Sequence, residues 1–354
     1  MLPGTIMRKP SKFFTASMIA TLALGLVAGC GTAGTAATTS QTQAKKIKIG
    51  FSLPTLKEAR YPIDKESFVK AAQDLGAEVL VQTANNDETL QKSQVEDLIT
   101  QGIDILVLDP QNAVSAADLV NEAHKANIKV ISYDRLIMNS NVDAYVSFDN
   151  EKVGELQGEY ITKQVPKGNY FVFAGAPTDN NATLFKKGAM KYIQPLVDKG
   201  DIKVLYDQPV PDWDPGKAMT MAENALTANK NNVNAILAPN DGTAGGIIQA
   251  LAEQKLDGKV VVTGQDSELA GAKRIVAGTQ SMTIFKDVRT EAQKTAQLAV
   301  DMAKGQSSAL TSKVNNKKID VPSLLLTPIV VTKDNIDKVL VGSGWFTKAQ
   351  VYGN

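Results

Sequence analysis

Residues 103–133, IDILVLDPQNAVSAADLVNEAHKANIKVISY, carry the pattern that decides the fold of this chain. An apolar run at 103–108 is followed by an amphipathic stretch at 114–126 and by a second apolar run at 128–133. Short runs that are apolar on both faces are typical of strands buried in a parallel sheet, and the stretch between them can form a crossover helix. The segment therefore predicts a strand–helix–strand unit.

The same alternation continues on both sides of this unit. Further helices are predicted at 66–75, 89–100 and 288–304. Regular alternation of strands and helices indicates an α/β fold with parallel sheets covered on both faces. The predicted strands fall into two series and one late strand, which are 47–51, 78–81, 103–108, 128–133 and 144–148, then 170–174, 202–206, 235–238, 260–263 and 282–285, and finally 324–331.

Two series of strands predict two lobes, because one hydrophobic core usually divides beyond about 250–300 residues. The helix at 288–304 and the late strand follow the second series, so we expect the chain to cross back to the first lobe and then out again. Several crossovers make a hinge, and hinged lobes close around ligands. The predicted boundaries are a signal peptide at 1–29, a flexible tether at 30–45, an N-terminal lobe at 46–148 plus 287–326, and a C-terminal lobe at 149–286 plus 327–354.

The N-terminus has the layout of a secretory signal. Basic residues at 8–12 precede an apolar run at 13–28, which ends in small residues before Cys30, the single cysteine. The run is too short to cross a bilayer about 30 Å thick as a stable helix, and a small residue followed by Cys matches the processing box of bacterial lipoproteins. We therefore expect an extracytoplasmic protein anchored to the cell membrane by a lipid on Cys30. A buried free cysteine is the alternative.

Composition and missing motifs exclude several classes of function. The chain has 38 Lys and Arg against 37 Asp and Glu, and removal of 1–29 takes three basic residues away, leaving a net charge of −2. Such a chain has no electrostatic surface for nucleic acid. His124 is the only histidine and Cys30 the only cysteine, so the sequence offers no zinc ligand set. It also has no nucleophile elbow and no phosphate-binding loop, and predicts no enzyme, metal or cofactor.

Polar side chains follow the predicted strands at their carboxyl ends, where ligands bind in open parallel sheets. Planar or charged groups of this kind suit paired hydrogen bonds to neighbouring hydroxyl groups. Trp213 and Tyr61 are predicted in loops, with Trp213 exposed, and offer flat faces for a sugar ring. The strand-end groups are Arg60 and Tyr61, Asp134 and Arg135, Thr178 to Asn181, Asn240 and Asp241, Gln265 and Asp266, and Lys286.

Structural alternatives exist for each of these groups. An Asp or Asn after a strand often caps the following helix, and Asp134 with Arg135 can be a surface ion pair of little energetic weight. Trp213 can simply cover the end of a lobe. The glycine-rich stretch at 242–246 predicts close packing of a helix against its sheet.

Seven motifs carry a resemblance to a known family. From Lys46 to about Thr347 the chain resembles the sugar-binding proteins of bacterial ABC transporters, the ribose-binding-like periplasmic binding proteins of type 1, and among them it is most similar to D-xylose-binding proteins. The motifs are YDR at 133–135, SFDNEKVG at 147–154, DNNA at 179–182, ENALTAN at 223–229, NDGTAGG at 240–246, GQD at 264–266 and RIVAGTQ at 274–280.

The resemblance implies two Rossmann-like lobes with parallel sheets, joined by a multi-crossover hinge. It implies a monomer that traps one monosaccharide, D-xylose first and another pentose or glucose second, and delivers it to an ABC transporter permease. The position of Tyr61 is usually Trp in the family. The implied sugar contacts are Arg60, Asp134, Arg135, Asn181, Trp213, Asn240, Asp266 and Lys286.

Two other functions are alternatives to sugar delivery. A sugar-responsive repressor would need a DNA-binding helix-turn-helix ahead of Lys46, where the signal peptide is predicted. A sensory input protein that presents its closed form to a membrane signalling receptor stays open as an alternative.

Overall fold

The structure is a computed structural model that describes residues 46–306, 308 and 310–353. The predicted signal peptide, the tether and Cys30 lie outside these described residues. The described strands are, in chain order, β1 (Lys48–Leu53), β2 (Glu78–Thr83), β3 (Ile105–Leu108), β4 (Lys129–Tyr133), β5 (Ala144–Phe148), β6 (Gly168–Ala174), β7 (Ile202–Pro209), β8 (Ala235–Leu237), β9 (Val261–Val262), β10 (Thr283–Phe285), β11 (Ser312–Asn315), β12 (Asp320–Leu326) and β13 (Ile329–Val331).

Helices alternate with most of these strands, as the sequence predicts. The described α-helices are α1 (Arg60–Asp74), α2 (Glu88–Thr100), α3 (Ala117–Lys125), α4 (Asn150–Gln164), α5 (Asn180–Asp198), α6 (Pro215–Ala228), α7 (Asp241–Glu253), α8 (Leu269–Ala277), α9 (Val288–Ala303) and α10 (Lys348–Tyr352). None of the helices in the described part of the chain is long and apolar enough to cross a membrane.

A seven-stranded sheet has the order β11-β12-β5-β4-β3-β1-β2, and its ladders are parallel except for the one between β11 and β12. Successive residues of β3 point to opposite faces. Val107 packs in the core formed with α1 and α9, and Leu106 packs in the core formed with α2 and α3. Both faces are thus covered, which is why the strand sequences are continuously apolar.

A four-stranded parallel sheet has the order β7-β6-β8-β9 and is covered in the same way. Phe171 of β6 faces α6 and α7, whereas Tyr170 faces α4 and α5. A separate antiparallel pair joins β10 to β13. Two α/β lobes with parallel-dominated sheets confirm the predicted fold class.

The chain passes between the two sides of the molecule after β5, after β10 and after β12, among the elements described. The late strand predicted at 324–331 is wrong as a single element. Thr327 and Pro328 separate β12, which extends the seven-stranded sheet, from β13, which pairs with β10. The break allows neighbouring segments to join two different sheets.

The first helix also begins earlier than predicted. It starts at Arg60 rather than at residue 66, and its N-cap position, Ala59, makes no side-chain capping bond. Tyr61 therefore lies in the first turn of α1 and is buried, which corrects the prediction of a loop position. Pro62 is tolerated there because the first helical turn does not need its N–H.

Candidate functional site

Strand ends of the two large sheets face one cavity with about 260 Å³ of empty space. All nine residues predicted as ligand contacts line it. The lining residues are Glu58, Arg60, Tyr61, Asp134, Arg135, Asp179, Asn181, Phe185, Trp213, Asn240, Gln265, Asp266 and Lys286.

Arg60, the first residue of α1, is held by three carboxylates. Its Nε lies 2.9 Å from Oδ2 of Asp64, one helical turn later, and its Nη1 lies 2.8 Å from Oδ1 of Asp134. Its Nη2 lies 3.4 Å from Oε2 of Glu291 on α9. The hydroxyl group of Tyr133 donates a hydrogen bond to the Asp64 carboxylate and completes this network. The guanidinium is therefore fixed at the cavity wall before any ligand arrives.

Arg135 connects the two sides of the cavity. It follows β4, and its Nε lies 3.1 Å from Oδ2 of Asp179, which follows β6 on the other side. Asp109, directly after β3, lies 3.6 Å from the same Nε. Asp134 and Arg135 are each only 3 % exposed. The alternative of a surface ion pair is therefore wrong.

Lys286 directly follows β10, where the chain passes between the two sides. Its Nζ lies 3.1 Å from Oδ1 of Asp266 and 4.0 Å from Oδ1 of Asp134. The two carboxylates come from opposite sides and approach the same ammonium group. Burial lowers the pKa of Lys286, but these two carboxylates raise it further, so the net shift is upward. Lys286 remains protonated.

Trp213 forms part of the cavity wall and is 5 % exposed, so the prediction that it is exposed is wrong. It ends a single 3₁₀ turn, Pro211–Trp213, and its Nε1 donates a hydrogen bond of 3.2 Å to Asp179 Oδ2. Its ring lies directly over Gly175, where a Cβ atom would be 2.0 Å from Cη2 of the indole. Only glycine at position 175 leaves room for this ring orientation.

Two asparagines line the cavity and also make hydrogen bonds within the protein. Asn181 Nδ2 donates to the Asp134 carbonyl oxygen at 3.0 Å, and Asn181 Oδ1 accepts from Asn150 at 3.0 Å. Asn240 is the N-cap of α7, where its Oδ1 accepts from the backbone N–H of Thr243 at 2.9 Å. The capping alternative is thus correct for Asn240, which also lines the cavity.

The glycine-rich stretch that follows Asn240 packs against a helix as well as against the sheet. A Cβ on Gly246 would lie 2.0 Å from the carbonyl oxygen of Pro215, at the start of α6. Gly246 therefore allows close packing of α7 against α6, whereas Ala244 and Ile247 of α7 pack in the core of the four-stranded sheet, as predicted.

Several buried acceptors around the cavity have no hydrogen-bond partner among the described residues: Asp134 Oδ1, Gln265 Oε1 and Asp266 Oδ1. The two aspartate oxygens are close to cations as ion pairs, but without a well-aligned hydrogen bond. Buried polar atoms normally have partners, because an unmade hydrogen bond costs about 1–3 kcal/mol. These oxygens can therefore accept further hydrogen bonds.

Carboxylates outnumber cations in and directly behind the described cavity wall. The cations are Arg60, Arg135 and Lys286, and the carboxylates paired with them are Glu58, Asp64, Asp109, Asp134, Asp179, Asp266 and Glu291.

Burial raises the pKa of Asp109 and Glu291 well above the ordinary values of these groups. Burial also raises the pKa of Asp134, but Arg60 and Lys286 outweigh it, so its net pKa is lowered and it stays charged.

Sequence reasoning missed four residues that line the cavity. Asp179 and Gln265 occur within two of the strand-end groups and carry the same signal as their neighbours Asn181 and Asp266. Phe185 lies one helical turn after Asn181 on α5, a spacing that reaches the same face. Glu58 has no recognisable signal, since it lies in the loop ahead of the uncapped start of α1.

An outer pocket, with about 880 Å³ of empty space, lies next to this cavity and shares Glu58, Trp213 and Asn240 with it. Its other walls come from both sides of the molecule, including Asn86 from one and Glu268 from the other. The three shared residues therefore lie at the boundary between the cavity and the outer pocket.

A sequence profile described as a periplasmic binding protein domain matches residues 49–307. The chain is 48 % identical over 308 residues to the D-xylose-binding periplasmic protein of Escherichia coli (strain K12), covering 87 % of this chain and 93 % of that protein. It is 39 % identical to the multiple sugar-binding periplasmic receptor ChvE of Rhizobium radiobacter, covering 87 % of this chain and 93 % of that protein.

A solved structure of a sugar-binding protein also resembles this chain. A carbohydrate transporter solute-binding protein from Chloroflexus aurantiacus, in complex with D-glucose, superposes with a TM-score of 0.82 at 35 % identity. The match covers 86 % of this chain and 98 % of that protein.

Proposed function

Because this chain belongs to the periplasmic binding protein family, together with the D-xylose-binding proteins it matches, we propose that it captures D-xylose and delivers it to an ABC transporter permease. It is a sugar-binding receptor of the extracytoplasmic space rather than an enzyme, as its relatives are. Three parts are proposed: that the sugar is D-xylose, that the cavity residues contact it, and that the protein delivers it to a permease.

The observation that carries the proposal is a set of buried acceptor oxygens that line one polar cavity and have no hydrogen-bond partner among the described residues. A pentose offers hydroxyl groups around one small ring, and Asp134 and Asp266 present carboxylate oxygens from opposite sides. Arg60 and Arg135 can donate to ring and hydroxyl oxygens, and Asn181 and Asn240 add side-chain amides. Trp213 and Tyr61 supply flat walls for the C–H faces of the ring. A ligand that fails to match these groups leaves them buried and unpaired, which is the source of selectivity.

Binding is proposed to proceed by closure of two lobes, 46–148 plus 287–326 and 149–286 plus 327–354. The strands of each large sheet, and the packing of α9 against α1, support this division. Contacts across the cleft include the Arg135–Asp179 ion pair and a backbone hydrogen bond of 2.9 Å from Ala113 to Thr178. Lys286 lies at the crossover where both lobes meet.

Calorimetry with a panel of sugars tests the proposed ligand. We expect D-xylose to bind with the highest affinity among aldopentoses and aldohexoses, with one sugar per chain. D-glucose is the main competitor, because the Chloroflexus aurantiacus protein was solved with it. Absence of heat with every aldopentose and aldohexose would remove the proposal, and a higher affinity for D-glucose would replace the sugar but keep the receptor.

We also propose that Cys30 carries a lipid that anchors the protein to the membrane. The support is the sequence Leu-Val-Ala-Gly-Cys at 26–30, after a basic and an apolar segment. Detergent phase partitioning of cells that express the full chain tests it: the protein should enter the detergent phase, and Cys30→Ala should move it to the aqueous phase. Equal partitioning of both would contradict the anchor.

A further inference from the structure

Among the described residues, Glu58 is the one carboxylate that lines both the cavity proposed to hold the sugar and the outer pocket. Its side chain is 15 % exposed, and its nearest basic partner is Nη2 of Arg135 at 3.9 Å. That distance is too long for a hydrogen bond. The Glu58 carboxylate is thus mostly buried without a close counter-charge.

Arg135 cannot neutralise Glu58 fully, because it also faces Asp109 at 3.6 Å and Asp179 at 3.1 Å. Burial is the largest cause that raises the pKa of Glu58 to about 7, from 4.5, and Asp266 and Asp179 add to it while Arg135 and Arg60 oppose it. Near neutral pH, the Glu58 carboxyl group of the closed structure is therefore a mixture of its charged and protonated forms.

Cleft opening changes the surroundings of Glu58 more than those of three other buried carboxylates on its side. Asp64, Asp109 and Glu291 are fully buried and belong to the seven-stranded sheet or the helices packed on it. Glu58 instead lines the cleft together with Trp213 and Asn240 of the opposite side. Separation of the two lobes would return its carboxylate to water, where the charged form is favoured.

We propose that Glu58 takes up a proton when the cleft closes around its sugar, so that sugar affinity rises as the pH falls. The inference rests on the proposed function. A pKa of about 7 in the closed cleft, against the ordinary value of 4.5 for a carboxyl group returned to water, predicts binding about tenfold tighter at pH 6 than at pH 9. The sign follows from the raised carboxyl pKa, since the closed state binds the extra proton.

Other groups that face Glu58 are distinguishable from it. At the outer pocket these are Lys57 on its own loop, and Asp212, Asp214, Lys217 and Glu268 on the opposite side. Glu268 is the one whose pKa is also raised towards neutrality, to about 8, by burial and by Asp241 and Asp266. A Glu268→Gln variant therefore separates its contribution from that of Glu58.

Calorimetry of D-xylose binding between pH 6 and 9, in buffers of different ionisation enthalpy, measures both affinity and proton uptake. We expect the wild type to take up about half a proton per sugar at pH 7. Glu58→Gln, which mimics the protonated acid, should bind about 300-fold tighter than wild type at pH 9, the factor that a pKa difference of about 2.5 implies, and should lose this proton uptake. A merely structural role would weaken binding at every pH instead.

Glu66→Gln is the matched control, because Glu66 is exposed on α1, and it should keep the wild-type pH profile. Glu268→Gln should retain the pH dependence that belongs to Glu58. The inference is overturned by a pH-independent wild-type affinity, or by a Glu58→Gln variant that keeps the wild-type proton uptake. If no sugar binds at any pH, the proposed function itself fails, which is a different result.

Discussion

Removal of the Asp266 carboxylate tests the centre of the proposed site. Asp266 Oδ1 has no hydrogen-bond partner among the described residues and lies 3.1 Å from Lys286 Nζ. A hydrogen bond to a charged group contributes about 1.5–3 kcal/mol. Asp266→Ala should therefore weaken D-xylose binding by about 10- to 150-fold. Asp266→Asn keeps the shape and one acceptor oxygen, so its loss should be smaller.

Isothermal titration calorimetry measures these affinities, and thermal unfolding without sugar shows whether the variants fold. Glu253→Ala, at the exposed end of α7, is the control that removes a carboxylate without touching the cavity. The sugar-induced rise in melting temperature should shrink in parallel with affinity, since stabilisation depends on the ratio of sugar concentration to Kd. An Asp266→Ala variant with wild-type affinity for D-xylose would refute the placement of the sugar.

Three further perturbations test separate parts of the structure. Gly175→Ala should displace Trp213, weaken D-xylose binding and cost about 1–3 kcal/mol in urea unfolding; wild-type affinity and stability would show that this wall does not hold the ring. Lys286→Met leaves Asp134 and Asp266 without their shared cation, and a broken buried pair costs about 3–5 kcal/mol, so calorimetry should detect little or no D-xylose binding; near-normal affinity would contradict this. Asp149→Ala removes the cap of α4 and should cost about 1 kcal/mol of unfolding free energy with unchanged sugar affinity; an altered affinity would reveal coupling to the cleft.

Most of the fold was predictable because buried parallel strands and amphipathic helices leave periodic patterns in the sequence. The start of α1 was not, since Ala59 gives no capping signal ahead of Arg60. The division between β12 and β13 was not either, because an apolar run does not show which sheet each half will join.

The candidate site was predictable to the extent that it lies at strand ends. Asp134, Asn181 and Asp266 follow strands directly or closely, and the carboxyl ends of parallel strands meet at one edge. The burial of Trp213 was not predictable, because it depends on Gly175 and Asp179 in a distant part of the sequence. The protonation of Glu58 depends on charges from both lobes, which only the folded arrangement brings together.

The side chain of Asn240 both lines the cavity and caps a helix, so one residue affects sugar preference and stability together. Its amide faces the cavity, and its Oδ1 closes the first turn of α7 through Thr243. Replacement of Asn240 by a larger or apolar residue also removes the cap of α7, which costs about 1 kcal/mol of helix stability. Evolutionary drift in sugar preference is therefore expected to spare this position and to begin at Tyr61, whose side chain caps no helix.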